Sequence, residues 1–319
     1  MKYKVFVDGS EGTTGLKINE RLISHEFIEI LKIPDELRKD VNTRKEFINN
    51  SDIAILCLPD AAAKEAVSLA ENKSTRIIDA STAHRTAETF AYGFPELSEK
   101  HKEDIKKAKF VTVPGCHATG FTAAVYPLIT GGIMGKDCPL VCQSVTGYSG
   151  GGKALIEKYE KNRTDDISLK SPQFYALSLM HKHLPEMQKI NGLASPPLFT
   201  PIVGDFYNGM NVSLPLNSKL LNKKMSAKDI HSFLSDYYAG QTFIKVMPFG
   251  GEGALVNGFL DATSCNGTNR LEIFVFGHNE QILIISRLDN LGKGASGAAI
   301  QCMNIMLGIK ENTALTIDN

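Results

Sequence analysis

The sequence predicts an α/β protein, a doubly wound parallel sheet followed by a mixed α+β second domain. Three observations carry this. Through the first third, short apolar runs that end in Gly, Pro, Asp or Ser alternate with helix-length segments. Three glycines, Gly9, Gly12 and Gly15, follow the first run and precede an amphipathic "LKINERLI". After Cys116 the texture changes to longer polar stretches with well-separated strand candidates, and the chain closes on a Gly-rich turn and an apolar helix.

In chain order, the first five runs are "YKVFVDG", "FIEILKI", "SDIAILCLP", "STRIIDAS" and "AKFVTVPG". Such short continuous runs bounded by turn residues predict strands buried on both faces of a parallel sheet. "HATGFTAAVYPLI" then places Phe121, Ala124, Val125 and Leu128 at helical spacing. "LVCQSVTG", "LFTPIVG", "TFIKVMPF", "LEIFVFG" and "QILIISRL" are strand candidates of the second domain. The end, "DNLGKGASGAAIQCMNIMLGI", predicts a turn and a helix whose small residues permit close packing. No internal repeat or low-complexity linker interrupts this order. The expected domains are 1–115 and 116–285, with a C-terminal segment 286–319.

Composition narrows the function classes. A chain of 319 residues suggests about two domains. Apolar content of 43% and charged content of 22% are ordinary for a globular protein. Thirty-five basic residues balance thirty-five acidic ones, which argues against nucleic acid or a membrane surface as partner. No window approaches the roughly 18 uninterrupted apolar residues of a membrane span. The opening "MKYKVFVDGS" lacks the pattern of a signal peptide, so a cytoplasmic protein is expected. The six cysteines form no C-x-x-C pair, consistent with reduced thiols.

Three motifs point to chemistry, each with a plainer alternative. "DGSEGTTG" stands where a first strand turns into a helix, the place where a backbone free of side chains approaches a pyrophosphate. Its G-x-x-G-x-x-G spacing differs from the more specific G-x-G-x-x-G, and a structural turn is the alternative. The second strand runs into Asp35, Glu36, Arg38 and Lys39, and two cations there suit the 2'-phosphate of NADP better than the ribose hydroxyl of NAD. "GYSGGGKA" matches the glycine and lysine part of a phosphate-binding P-loop, but Ala154 stands where a hydroxyl should hold magnesium. A flexible turn, or a loop admitting an anionic substrate near Lys153, are the other readings. In "VTVPGCHATG", Cys116 opens a helix, whose dipole favours a thiolate, although most cysteines are simply small buried residues. "HKHLPE" offers His181 and His183 as proton shuttles or surface residues. No third ligand accompanies them, so no metal is expected. His117 adjoins Cys116, but neighbours at a helix start diverge, which makes it the weaker base candidate.

Taken together, "DGSEGTTG", "AILCLPDAAAKEAV", "DASTAHR", "YGFPEL", "VPGCHATGF", "GYSGGGK", "HKHLPEM" and "LGKGASGAAIQCMN" span nearly the whole chain and resemble the N-acetyl-gamma-glutamyl-phosphate reductases, in their shorter form. The resemblance implies a Rossmann-like NADP-binding domain and an inserted substrate and dimerisation domain. It implies Cys116 as nucleophile and His181 as acid/base. Arg85, His183 and Lys153 fall on the substrate side, and Gly9, Gly12, Thr13, Gly15, Arg38, Pro59, Ser81, Gly294 and Ala295 on the cofactor side. It further implies an acyl-phosphate substrate and a homodimer or homotetramer. Many relatives have Asn before the Pro and an aromatic after the Cys, where this chain has Val113 and His117. A related aspartate or lysine-pathway semialdehyde dehydrogenase, a P-loop-type nucleotide binder, and a non-enzymatic nucleotide-sensing protein are the alternatives.

Overall fold

The computed structural model describes residues 2–162 and 165–318 and divides into two compact units, Met1–Pro114 with Ala295–Leu315, and Gly115–Gly294 with Thr316–Asn319. The expected cut after residue 285 falls inside a strand that runs on to Leu288, and the turn after it, to Gly294, stays with the second unit. A strand pairs along its whole length, so the boundary is displaced to the next turn.

In the first unit, β1 (Tyr3–Asp8), α1 (Thr13–Ile23), β2 (Ile28–Leu31), α2 (Val41–Asn49), β3 (Ile53–Leu56), α3 (Asp60–Leu69), β4 (Arg76–Asp79), β5 (Ala91–Tyr92), α4 (Glu99–Lys107) and β6 (Phe110–Thr112) follow in order. The sheet order is β2-β1-β3-β4-β6-β5, parallel throughout. All five anticipated strands are present; β5 is a two-residue addition at the start of "YGFPEL", Ala91 and Tyr92. Every residue of β3 is buried, as a strand covered on both faces must be. Phe6, Ala54, Leu56 and Ile77 pack with Ile48 of α2 and Ala66 of α3 on one face. The returning helix packs on β4 and against α1 and α4.

The second unit contains α5 (Cys116–Thr130), β7 (Val141–Gly147), α6 (Gly152–Asn162), β8 (Gln173–Phe174), α7 (Leu184–Asn191), β9 (Leu198–Gly204), β10 (Met210–Asn217), α8 (Ala227–Tyr237), β11 (Ile244–Val246), β12 (Leu271–Gly277) and β13 (Gln281–Leu288); α9 (Gly297–Leu307) then returns to the first unit. Its mixed sheet has the order β11-β12-β13-β10-β7-β9-β8. β10 lies outside the sequence expectations. Pro215 argues against a strand, yet pairing with β7 ends at Ser213, so the missing N–H falls where that neighbour has stopped. α5 lies flush on this sheet because Gly120 has no side chain: a Cβ there would sit 2.6 Å from Val212 Cγ2. Cys142, Ser144, Phe199, Val212 and Leu214 are buried on the helix-covered face. On the other face Val141, Leu198 and Phe174 are exposed at 36%, 49% and 55%, beside Val145 and Ile202 in register.

Candidate active site

In the first unit the chain leaves β1 towards β2 and returns past it to β3, so the strand order reverses between β1 and β3. In open α/β sheets the crevice beyond the carboxyl ends of such strands is where nucleotides bind. Gly9 turns there with φ +84, and a Cβ on it would lie 2.3 Å from the Cys57 carbonyl oxygen at the end of β3. A Cβ on Gly15 would lie 2.4 Å from the Gly9 carbonyl oxygen, so α1 rests directly on the loop. Gly12 differs. It is the N-cap of α1 without a side-chain cap, and its imagined Cβ meets no atom nearer than 3.6 Å. The chain itself does not require glycine at that position, whereas a bound pyrophosphate on the α1 amides, opening at Thr13, does. These residues therefore fit a dinucleotide.

The other residues of this unit expected on the cofactor or substrate side are placed as follows. Arg38 follows the 3₁₀ turn Asp35–Leu37 after β2 and lies 3.8 Å from Glu11, inside the glycine loop. Pro59 is the N-cap of α3. Ser81 follows β4, donating its N–H and hydroxyl to buried Asp79 at 2.9 and 2.8 Å. Asp79 also holds His84 Nδ1 at 2.6 Å, and Asp60 accepts from the Thr82 amide and hydroxyl. Arg85 donates from Nε to the Val113 carbonyl at 3.0 Å. Ala295 begins the second segment of this unit.

In the second unit Cys116 opens α5 and is the one residue from Val111 to Val125 that is not buried. The preceding Gly115 N–H donates to Glu186 Oε1 at 2.9 Å, and Glu186 is 1% exposed in the first turn of α7. Gly294 lies against Cys116, since a Cβ on it would be 2.8 Å from Cys116 Cβ. It is thus placed at the thiol's side.

Tyr175, His181 and His183 gather around the ring of His117, the residue after Cys116. His117 is 3% exposed, with Nδ1 2.8 Å from Ser144 Oγ and Nε2 2.8 Å from the Tyr175 hydroxyl. Burial, then the positive charge of His181 and Lys182, pushes its pKa down to about 3. It is a neutral ring at working pH, with both nitrogens engaged. His181 is partly exposed and stands edge-on to His117, ring centres 5.4 Å apart. Its Nδ1 accepts the His183 N–H at 3.1 Å, so the neutral ring carries its proton on Nε2. His183 is 5% exposed, ring centre 4.7 Å from that of His181. Burial, then the charge of the Cys116 thiolate, pushes the Tyr175 hydroxyl pKa up, which keeps it a donor.

The "GYSGGGK" loop does not form a phosphate cradle. The amides of Tyr148 and Ser149 donate to the carbonyls of Phe206 and Tyr207 at 2.9 Å each, and a Cβ on Gly147 would lie 2.4 Å from the Tyr207 oxygen. At Gly147 glycine serves approach of chain to chain, which argues against the P-loop alternative. Lys153 is exposed on the first turn of α6. Asn290 ties this loop down, donating to Ser149 Oγ at 2.9 Å and accepting the Gly209 N–H at 2.8 Å. Asp289 accepts from Asn208, the Leu291 N–H and the Gly267 N–H, fixing the turn that carries Gly294. Tyr175, Glu186, Asp289 and Asn290 were not singled out from sequence, although the last three lie inside or beside the quoted motifs. Among the described residues no group of three or more His, Cys, Asp or Glu is placed to hold a metal ion, and no helix is long and apolar enough to cross a membrane.

Comparisons agree with this division. Residues 9–108 match the family model "Semialdehyde dehydrogenase, NAD binding domain" and residues 116–290 match "Semialdehyde dehydrogenase, dimerisation domain". N-acetyl-gamma-glutamyl-phosphate reductase 2 of Nostoc sp. is 49% identical over 98% of this chain and 99% of its own. N-acetyl-gamma-glutamyl-phosphate reductase of Burkholderia ambifaria is 43% identical over 96% of each. Among solved structures, aspartate semialdehyde dehydrogenase of Francisella tularensis superposes with a TM-score of 0.72 at 15% identity, covering 96% of this chain and 100% of that one. Aspartate semialdehyde dehydrogenase II of Vibrio cholerae gives 0.71 at 15%, covering 97% and 99%. At that identity the likeness is one of fold.

Proposed function

The chain belongs to the semialdehyde dehydrogenase family, among its N-acetyl-gamma-glutamyl-phosphate reductases, and we propose that it reduces N-acetyl-gamma-glutamyl phosphate to N-acetyl-glutamate 5-semialdehyde and phosphate, in arginine biosynthesis in the cytoplasm. The observation that carries the mechanism is the placing of Cys116, alone accessible in a buried stretch, at a helix start whose next residue, His117, has its ring 5.4 Å from that of His181. The Cys116 sulfur attacks the acyl carbon; the carbon–sulfur bond forms, the bond to the phosphate oxygen breaks, and phosphate leaves a thioester on the enzyme. The nicotinamide cofactor, when bound, supplies the hydride that reduces this thioester. His181, its Nδ1 held by the chain, moves the proton at Nε2 as the carbon–sulfur bond later breaks to give the aldehyde. First-turn amides of α5 beyond Gly115 stabilise the oxyanion, a contribution of about 3 kcal/mol per donor.

The first unit holds the cofactor through Gly9, Gly12, Thr13, Gly15, Pro59 and Ser81, and the cations Arg38 and Lys39 favour NADP. The proximity of Arg38 to the glycine loop supports that choice. Arg85 and Lys153 are assigned to the anionic ends of the substrate. His183, being buried, backs His181 rather than meeting substrate directly. The open apolar face at Val141, Val145, Leu198 and Ile202 supports assembly as a homodimer or homotetramer. The test is NADPH formation from NADP, phosphate and N-acetylglutamate semialdehyde by purified protein. Cys116→Ser abolishes it, because an alcohol is far less ionised than a thiol near neutral pH. A Cys116→Ser protein of near-normal rate overturns the covalent mechanism.

A further inference from the structure

The arm that carries His181 begins at Tyr175 and ends in α7, and it has little packing of its own. Leu177 and Met180 are exposed at 75% and 81%, and Ala176 and Leu179 hold left-handed backbones, φ 54 and 57, which non-glycine residues adopt only when their surroundings enforce it. Nothing within residues 176–180 supplies that force beyond one turn bond, Leu179 N–H to the Ala176 carbonyl at 2.9 Å. The enforcement comes from the two ends. At the α7 end Glu186 takes the Gly115 N–H. At the other, the Tyr175 amide donates to the Pro201 carbonyl on β9, and its hydroxyl meets His117 Nε2 at 2.8 Å. Gly115 and His117 are the two chain neighbours of Cys116.

We propose that His117 is a positioning residue: anchored on β7 through Ser144, it grips the Tyr175 hydroxyl and so fastens the proximal end of the strained arm to the nucleophile's own helix, while Glu186 fastens the distal end. The base is thereby held in register with the thiol from both sides. His117 Nδ1 and Nε2 each meet a hydroxyl, so the ring joins two groups by hydrogen bonds and has neither nitrogen left for substrate. Its depressed pKa accords with a ring that stays neutral while it does so. This assigns a purpose to the departure from the family pattern at position 117, and it rests on the reading of His181 as acid/base.

Tyr175→Phe, which deletes one oxygen, and His117→Phe test it separately and in combination. Each single variant lowers kcat about ten- to a hundredfold, with KM for both substrates and the rate of Cys116 alkylation by iodoacetamide within about twofold of wild type, because the thiol stays and the arm slips. The double variant is no slower than the worse single, since one tie is broken only once. The pH–rate limb belonging to His181 weakens in all three. Chymotryptic cleavage within 176–180 accelerates in the Tyr175→Phe protein even without substrate, a readout independent of the reaction assigned. Should His117→Phe misfold, Tyr175→Phe and Ser144→Ala carry the test. Wild-type kcat in Tyr175→Phe, additive losses in the double variant, or alkylation that falls in step with kcat each overturn the proposal. Failure of the enzymatic reading shows instead as an active Cys116→Ser protein, with the cleavage result unaffected.

Discussion

Gly294→Ala places one methyl group against Cys116, the proposed nucleophile. Gly294 does not have a left-handed backbone, so alanine meets no conformational penalty there, and the consequence is steric. The new Cβ would lie 2.8 Å from Cys116 Cβ, 3.3 Å from Cys116 Cα and 3.2 Å from the Asp289 carbonyl oxygen. None of these is the far end of a flexible side chain. To reach ordinary contact, one wall must recede by about 0.6 Å, and both are pinned: the Cys116 turn by Glu186 on Gly115, the 289–294 turn by Asp289 and its partners. Overpacking of this kind costs about 1–3 kcal/mol of stability. A displacement near 1 Å at a reacting centre costs about a hundredfold in rate, so kcat should fall roughly ten- to a hundredfold while the protein stays folded. The assay is steady-state NADPH formation in the aldehyde-oxidising direction, with thermal unfolding and Cys116 alkylation measured on the same preparation. A Gly294→Ala enzyme with wild-type kcat would refute the reasoning, since it would mean that one of the two turns yields freely.

The glycine loop of the first unit should separate fold from cofactor: Gly12→Ala, with no chain atom nearer than 3.6 Å, leaves the melting temperature unchanged and raises KM for NADP, whereas Gly9→Ala, at φ +84 and 2.3 Å from the Cys57 carbonyl, lowers the melting temperature. Calorimetry beside cofactor titration distinguishes the two, and equal loss of stability in both refutes the assignment of Gly12. Replacing Arg38 and Lys39 together by Ala removes most of the preference for NADP over NAD, read as the ratio of kcat/KM values, and an unchanged ratio disproves the pairing with the 2'-phosphate. For His117, the folded ring protonates near 3 and the unfolded one near 6.5, so between these the unfolded state binds the additional proton. The contribution is fully present above 6.5 and is lost as pH falls below it, at up to about 1.4 kcal/mol per pH unit. Urea unfolding of wild type and His117→Phe from pH 7.5 to 4.5 should show the steeper acid loss in wild type. Parallel curves would contradict it.

The sequence alone determined what depends on neighbours along the chain. The five buried runs of the parallel sheet were legible because a strand covered on both faces is apolar throughout. The turn at Cys116 was legible because a Pro-Gly pair stops a strand and the apolar residues that follow, Phe121, Ala124, Val125 and Leu128, recur at helical spacing. The glycines after β1 were legible as a crowded turn, although only the structure separates Gly9 and Gly15, which the chain itself requires, from Gly12, which it does not. Tertiary structure decided the rest. β10 was hidden by Pro215, which is harmless only because β7 ends where it does. The P-loop reading of "GYSGGGK" survived until the loop amides were found bonded to Phe206 and Tyr207. His117 reads locally as a side chain turned away from the thiol, and its partners Ser144 and Tyr175 lie 27 and 58 residues away in sequence, as Glu186 lies 71 from Gly115. Periodicities of 2 and 3.6 residues report the face on which a side chain stands. Which hydroxyl or carboxylate waits on the opposing element is settled by packing of helix on sheet, and that is where the chain on either side of Cys116 acquires its partners.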